Sequence, residues 1–119
     1  MSDEAERIQP ADPEISEEWL RRTAEPGIRA VSAASIDPLG GWEVSVWVMR
    51  LIGPVPLFSE LEQRVANALK AVSGVNGVEV ADRERWFVTG TPSGKALVEA
   101  AAHVVDDLAD QIRAYVHEP

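Results

Sequence analysis

The strongest constraint on the fold is a two-residue alternation along residues 42–50, WEVSVWVMR. Every second residue is large and apolar: Trp42, Val44, Val46 and Val48. The positions between them are mixed: Glu43, Ser45, Trp47 and Met49. Because successive side chains of an extended chain point to opposite sides, this period predicts a β-strand with one face on a core.

A second strand is predicted directly before the first. Residues 28–36, IRAVSAASI, are suited to a strand, and residues 37–41, DPLGG, form a cluster of turn-forming residues. Two strands joined by five turn-prone residues predict a β-hairpin. Residues 77–82 and 85–90 predict a further pair of strands, with a tight turn at Arg83 and Glu84.

Two helices are predicted, one after each pair of strands. Ser59, with Glu62 three residues on, forms a capping box for the first helix, which extends to about residue 73. Its apolar face consists of Phe58, Leu61, Val65, Leu69 and Val72. Thr91 and Pro92 predict the start of a second helix that runs to about residue 116. Its buried stripe consists of Leu97, Ala101, Val104, Leu108, Ile112 and Tyr115.

The N-terminal residues carry a different pattern. Residues 1–13 are acidic and contain two prolines, which predicts a disordered acidic tail. Residues 14–25 predict a short helix, because Ile15 and Trp19 are four residues apart and Leu20 is adjacent. We therefore expect a single α+β domain over residues 14–119.

The element order after that helix is ββαββα, which predicts a four-stranded antiparallel sheet with two helices on one face. Residues 42–50 and 85–90 would be central, with 28–36 and 77–82 at the edges. This arrangement resembles a circularly permuted ferredoxin-like fold. Residues 73–80, SGVNGVEV, also resemble the helix-to-strand corner of heavy-metal-associated domains. Those domains bind metal through a cysteine pair that this sequence lacks, so the resemblance implies the fold and not the function.

Composition narrows the functional classes. The chain has no cysteine, which excludes disulfides, thiolate nucleophiles and cysteine-based metal sites. Its net charge of -9 disfavours nucleic acid and anionic membranes as partners. The acidic start and the lack of a long apolar run favour a cytoplasmic protein. Lys70 and Lys95 are the only lysines, a bias that indicates a bacterial genome rich in GC.

One face of the predicted sheet carries apolar side chains that the helices would not cover. We expect Trp47, Met49 and Phe87 on that face, beside Val31, Ala33 and Ala81. Monomers rarely leave such a patch in water, so something should cover it. The alternatives are the N-terminal helix and a second subunit, and we expect a homodimer.

Two further groups of residues are candidate sites. Glu99, His103, Asp106 and Asp110 share one stripe of the last helix, where they could hold zinc or manganese, although a solvated acidic face is the commoner explanation. A strand-to-helix turn with Thr91, Ser93, Gly94 and Lys95 could hold an anion, although a capped helix start is the favoured explanation. No cofactor and no metal is therefore expected.

Several functions remain open at this point. The first is a non-catalytic, homodimeric protein-interaction or regulatory module. The second is a small dimeric αβ-barrel-like enzyme or small-molecule binder, with an apolar pocket at the open sheet face. The third is an accessory subunit that binds a larger protein partner. The lack of a recognisable catalytic motif favours a protein without enzymatic activity.

Overall fold

The computed structural model describes residues 5–22, 28–36, 40–48, 55–82 and 84–108. These segments form an α+β structure with one antiparallel sheet and two helices. The strands are β1 (Glu6–Ile8), β2 (Ile15–Arg22), β3 (Ile28–Ile36), β4 (Gly41–Val48), β5 (Val75–Asp82) and β6 (Arg85–Gly90). The helices are α1 (Val55–Lys70) and α2 (Gly94–Asp107). None of the helices that the structure describes is long and apolar enough to cross a membrane.

The six strands of the described sheet follow the order β1-β2-β3-β4-β6-β5, and every neighbouring pair is antiparallel. The predicted ββαββα order is present as β3-β4-α1-β5-β6-α2. As predicted, β4 and β6 are neighbours in the interior and β5 is an edge strand. The predicted four-stranded sheet is corrected to six strands, because β2 and β1 extend it beyond β3.

The N-terminal prediction is wrong. Residues 15–22 form strand β2 and not a helix, and β2 pairs with β3 from Ile15 opposite Ile36 to Arg22 opposite Ala30. Residues 6–8, predicted to lie in a disordered tail, pair with β2 as strand β1. Pairing with the exposed edge of β3 gives the segment a hydrogen-bonded ladder, and this tertiary contact overrides its local helical pattern.

The core lies between the sheet and the two helices. Trp86 of β6 is fully buried, and its indole Nε1 donates a hydrogen bond of 3.2 Å to the main-chain oxygen of Glu62 in α1. The predicted apolar stripes are confirmed where the structure describes them: Leu61, Val65, Leu69, Leu97, Ala101, Val104 and Leu108 are buried. Ile112, Tyr115 and the side chain of Phe58 lie outside the described part of the chain.

Both helix starts differ from the prediction. Helix α1 begins at Val55, so Ser59 lies within it and does not cap it. Helix α2 is capped by Ser93, whose hydroxyl accepts a hydrogen bond of 3.4 Å from the Ala96 N–H. The capping pattern alone located the start of each helix to within five residues, because several neighbouring residues can serve as the cap.

Candidate functional site

The strand register divides the sheet into two faces. Val44 of β4 and Trp86 of β6 are cross-strand partners, and both are fully buried against the helices. Residues adjacent to them in sequence point to the other side, because side chains alternate along a strand. We call that other side the open face. No described helix or strand lies over it.

Cross-strand partners arrange the open face in three rows. The first row runs across the sheet through Glu6, Leu20, Ser32, Ser45 and Arg85. The second runs through Ile8, Glu18, Ala34, Glu43, Phe87 and Glu79. The third runs through Ile15, Ile36, Gly41, Thr89 and Gly77.

The centre of the open face consists of small residues. Ser32 and Ala34 on β3 and Ser45 on β4 occupy the middle of the first two rows. Half-buried Leu20 on β2 and half-buried Phe87 on β6 rise on either side of them. Three strand-to-strand steps separate β2 from β6, which places the backbones of these two strands about 14 Å apart. Glu43, opposite Phe87 in the second row, also lies between β2 and β6, and together with Ser32, Ala34 and Ser45 it forms the floor of what we call the trough.

The trough has acidic edges. Glu6 and Glu18 lie toward β1 and β2, and Glu79 lies on β5. Glu43 forms an ion pair with Arg85 at 3.1 Å, so the Glu43 carboxylate is directed toward β6. Within the described chain, no cation pairs with Glu6, Glu18 or Glu79. The trough therefore has three small residues and Glu43 in its floor and carboxylates on both flanks.

The apolar patch predicted from sequence is only partly at this face. Phe87 lies there, and its ring covers Gly41 so closely that a Cβ on that glycine would overlap it. Val31 and Ala33 do not: their partners are Val46 and Val44, so both face the helices and are fully buried. The prediction for Val31 and Ala33 is corrected, because the pairing register was not available from the sequence.

Of the three other predicted members of that patch, only Ala81 has a described side chain. The backbone of Trp47 pairs with Ala30 next to the first row, and nothing further is described for its side chain. Met49 lies outside the described residues. Ala81 is exposed on the edge strand β5.

A small hollow is present where the open face meets the sheet edge. Gly77, Val78, Glu79, Phe87 and Thr89 line a volume of about 250 Å³. The hydroxyl of Thr89 donates a hydrogen bond of 3.4 Å to the Gly77 carbonyl within it. Ligand pockets are usually larger, at about 300–1,000 Å³. The hollow can receive a side chain more readily than a whole metabolite.

The acidic stripe of α2 serves to attach a strand. Arg21 of β2 binds Glu99 at 3.1 Å and Asp106 at 3.5 Å, and Glu99 also accepts the Ala5 N–H at 3.0 Å. His103 is largely exposed and lies 3.8 Å from Asp107. Within the described residues no group of three or more potential ligands could hold a metal ion, and Asp110 lies outside them. Sequence reasoning missed Arg21 because it placed this residue on a helix.

The turn before α2 is occupied by intramolecular contacts. The Thr91 N–H donates a hydrogen bond of 2.9 Å to the Gly74 carbonyl, and Ser93 caps the helix. Gly94 is buried under the indole rings of Trp19 and Trp42, which a Cβ would overlap. Lys95 is half-buried and has an interaction partner of its own. The helix start is thus built into the packing of β2 and β4.

Comparisons with known proteins do not assign the chain to a family. No family model matches it, and neither a curated protein nor a solved structure is significantly similar to it.

Proposed function

We propose that this chain is a non-catalytic protein-interaction module that binds its partner through the open face of its sheet. The observation that carries the proposal is the trough at the centre of that face. Its floor contains half-buried Ala34 and Ser45 and buried Ser32, and half-buried Leu20 and Phe87 flank it. Partly exposed apolar side chains grouped around a depression are typical of interaction surfaces.

The chemistry of the trough supports binding more than catalysis. Acid–base catalysis uses titratable groups whose pKa values are tuned by burial or by close neighbours. In the trough, the Glu43 carboxylate is paired with exposed Arg85. The remaining floor is made of small side chains, which suit contact with a partner's surface.

A homodimer is the form of this interaction that the sequence favoured. Two copies packed face to face would bring Glu18, Glu43 and Glu79 of each into the same layer, where like charges repel. The composition of the open face therefore supports a different protein chain as the principal partner. In that case the chain would be an accessory subunit, in keeping with the acidic, cysteine-free composition of a bacterial cytoplasmic protein.

Small-molecule binding is a second candidate function, and the hollow beside Phe87 favours it. An aromatic ring, the Thr89 hydroxyl and the Glu79 carboxylate border that hollow. A compact cationic or aromatic compound would fit this combination. Because the hollow is small, it supports a function less strongly than the trough does.

The experiment that tests the proposal compares three forms of the tagged full-length chain, expressed in its source bacterium. They are the wild type, Ala34→Arg in the trough floor, and Gln63→Arg on the exposed face of α1. We expect a partner that co-purifies with the wild type and Gln63→Arg and is lost with Ala34→Arg. Equal recovery with all three forms would refute the open face as the interaction surface.

Native mass spectrometry of the untagged chain then identifies the type of partner. A mass near twice 13.0 kDa would identify a homodimer. A retained small mass would favour the small-molecule candidate, and its loss in Phe87→Ala would place that ligand in the hollow. A 13.0 kDa monomer that binds a second, different chain is the result that we expect.

A further inference from the structure

We infer that the outer edge of β5 pairs with an extended strand of a different protein, in which lysine or arginine alternates with apolar residues. The basic side chains would lie on the open face, where one of them enters the hollow at Gly77. This contact lies at the edge of the sheet and does not rest on the function proposed for the trough.

The two edges of the described sheet differ in length. β1 forms one edge with three residues, whereas β5 forms the other with eight. Within the described residues, no strand pairs with the outer side of β5. Its segment contains neither proline nor lysine, two residues that commonly protect an edge from pairing. Register shifts occur near both of its ends, so the regular part of this edge is residues 77–80.

The main chain of an edge strand selects the kind of partner. An edge strand directs every second N–H and C=O outward, where another extended chain can pair with several of them in succession. Pairing of this kind is a common way for a sheet to bind a segment of another protein. Main-chain hydrogen bonds supply part of the affinity, and the side chains beside the edge decide which sequence fits.

The hollow lies on the open face beside this edge. Gly77 contributes no side chain to it, and Phe87 and Thr89 of the neighbouring strand β6 line its inner side. A strand paired with β5 would place one side chain opposite Gly77, where it can lean over the glycine into this space. At about 250 Å³, the hollow has room for one long side chain.

The lining of the hollow suits a basic side chain. Phe87 offers an apolar wall to the methylene stem of a lysine or arginine, and the exposed Glu79 carboxylate can pair with the charge. β5 itself contains no basic residue, and a second copy paired through β5 would bring another Glu79 to the same face. The strand that fits this edge is therefore supplied by a different protein.

The helix side of the same edge offers an apolar contact. Val80 is opposite fully buried Trp86, so it points to the helix side, yet it is 47% exposed. Val78, opposite Val88, points the same way and is half-buried. An apolar residue of the added strand would cover Val80. Because side chains alternate along a strand, apolar and basic residues should alternate in the partner.

The test uses the isotope-labelled full-length chain and two synthetic peptides of the same composition. In the first, lysine and valine alternate over eight residues, the length of β5. In the second, the same residues are arranged with the valines three and four positions apart, as on one face of a helix. At low ionic strength we expect the alternating peptide to shift the amide signals of residues 77–80. It should also slow hydrogen exchange about five-fold or more at every second amide there, because these amides gain a hydrogen-bond partner. The second peptide should bind about ten-fold more weakly or worse.

Two matched variants test the role of the charge. Glu79→Gln removes the carboxylate beside the hollow, whereas Glu18→Gln makes the same change on β2, four strand-to-strand steps away on the open face. We expect the affinity for the alternating peptide to fall about three- to five-fold in Glu79→Gln, which loses an ion pair, and less than about 1.5-fold in Glu18→Gln. Added salt should weaken binding to the wild type.

Four results would overturn the inference: equal affinity for the two peptides, no shift at residues 77–80, shifts confined to the trough, or equal losses in the two glutamine variants. Ala34→Arg separates this inference from the proposed function, because it changes the trough and should leave the affinity for the alternating peptide unchanged. If the peptide fails to bind while Ala34→Arg still abolishes capture of a natural partner, only the strand contact at β5 is refuted. If the peptide binds and Ala34→Arg has no effect on capture, the trough is refuted and the strand contact stands.

Discussion

Trp86 and Phe87 are neighbours on β6, and they show how differently the two faces of one sheet are built. Trp86 is fully buried and hydrogen-bonded to α1, whereas Phe87 is half-buried on the open face. On the helix side the residues form a continuous apolar core. On the open side small residues alternate with carboxylates. The helix side therefore forms the core, whereas no described helix or strand lies over the open side.

The largest effect on stability should follow from truncating Trp86, the buried residue of that pair. Trp86→Ala would leave a cavity and remove the indole hydrogen bond to α1, and we expect it to lower the free energy of unfolding by about 3–5 kcal/mol. Phe87→Ala should cost about 1 kcal/mol, because its ring already contacts water. Urea denaturation of both variants measures the difference. If Trp86→Ala fails to fold, Trp86→Phe provides the milder comparison.

Equal losses for the two alanine variants would contradict the contrast between the faces. That result would mean that Phe87 is as well packed in solution as Trp86. Something would then cover the open face within the free chain.

Two glycines provide the next comparison. Gly94 on the helix side lies against Trp19 and Trp42, so Gly94→Ala must displace an indole ring, and we expect a loss of about 1–3 kcal/mol. Gly77 on the open side would place its new Cβ 3.1 Å from the Thr89 hydroxyl, which can rotate away. We expect Gly77→Ala to change stability by less than about 0.5 kcal/mol. Thermal denaturation by near-ultraviolet circular dichroism, which reports tryptophan packing, measures both.

An equal and small effect at both glycines would show that the indole rings reposition without strain. In that case the turn before α2 would be less tightly packed than the helix side as a whole.

Much of the helix side could be predicted from the sequence. Alternation along β4 and the apolar stripes of α1 and α2 are local patterns, and each pattern alone identifies its element. Strand β2 could not be predicted in this way. Glu17 and Arg21 have the four-residue spacing of a helical ion pair, and glutamate, leucine and arginine favour helices. The segment is a strand only because it pairs with β3, and this tertiary contact cannot be read from the local pattern.

The open face was harder to predict for a related reason. Its composition depends on the register between strands, which decides which residues lie beside one another. Phe87 was placed correctly from alternation within its own strand. Val31 was not, because only its pairing with Val46 shows that it faces the helices. The trough itself involves four strands, and no local pattern reveals it.

A smaller effect on stability is expected where β1 and β2, the two strands at one edge of the sheet, contact α2. Arg21→Ala removes ion pairs to Glu99 and Asp106, which are partly exposed, so we expect a loss of about 1 kcal/mol or less. High salt should reduce the difference from the wild type. Hydrogen exchange should quicken at the amides of β1 and β2 and remain unchanged in β5 and β6. Uniformly faster exchange would show that this contact supports the whole fold.

The smallest effect on stability is expected from Ala34→Arg. This variant nevertheless tests the contrast between the two faces of the sheet most directly. Ala34 is half-buried on the open face between Glu18 and Glu43, so an arginine there can extend toward water and meet two carboxylates. We expect its free energy of unfolding to stay within about 0.5 kcal/mol of the wild type, as for Gln63→Arg on α1. Urea denaturation measures both. A loss above about 2 kcal/mol would place Ala34 among the residues that hold the fold together. If stability is unchanged while binding is lost, then the same sheet uses one face for folding and the other for recognition.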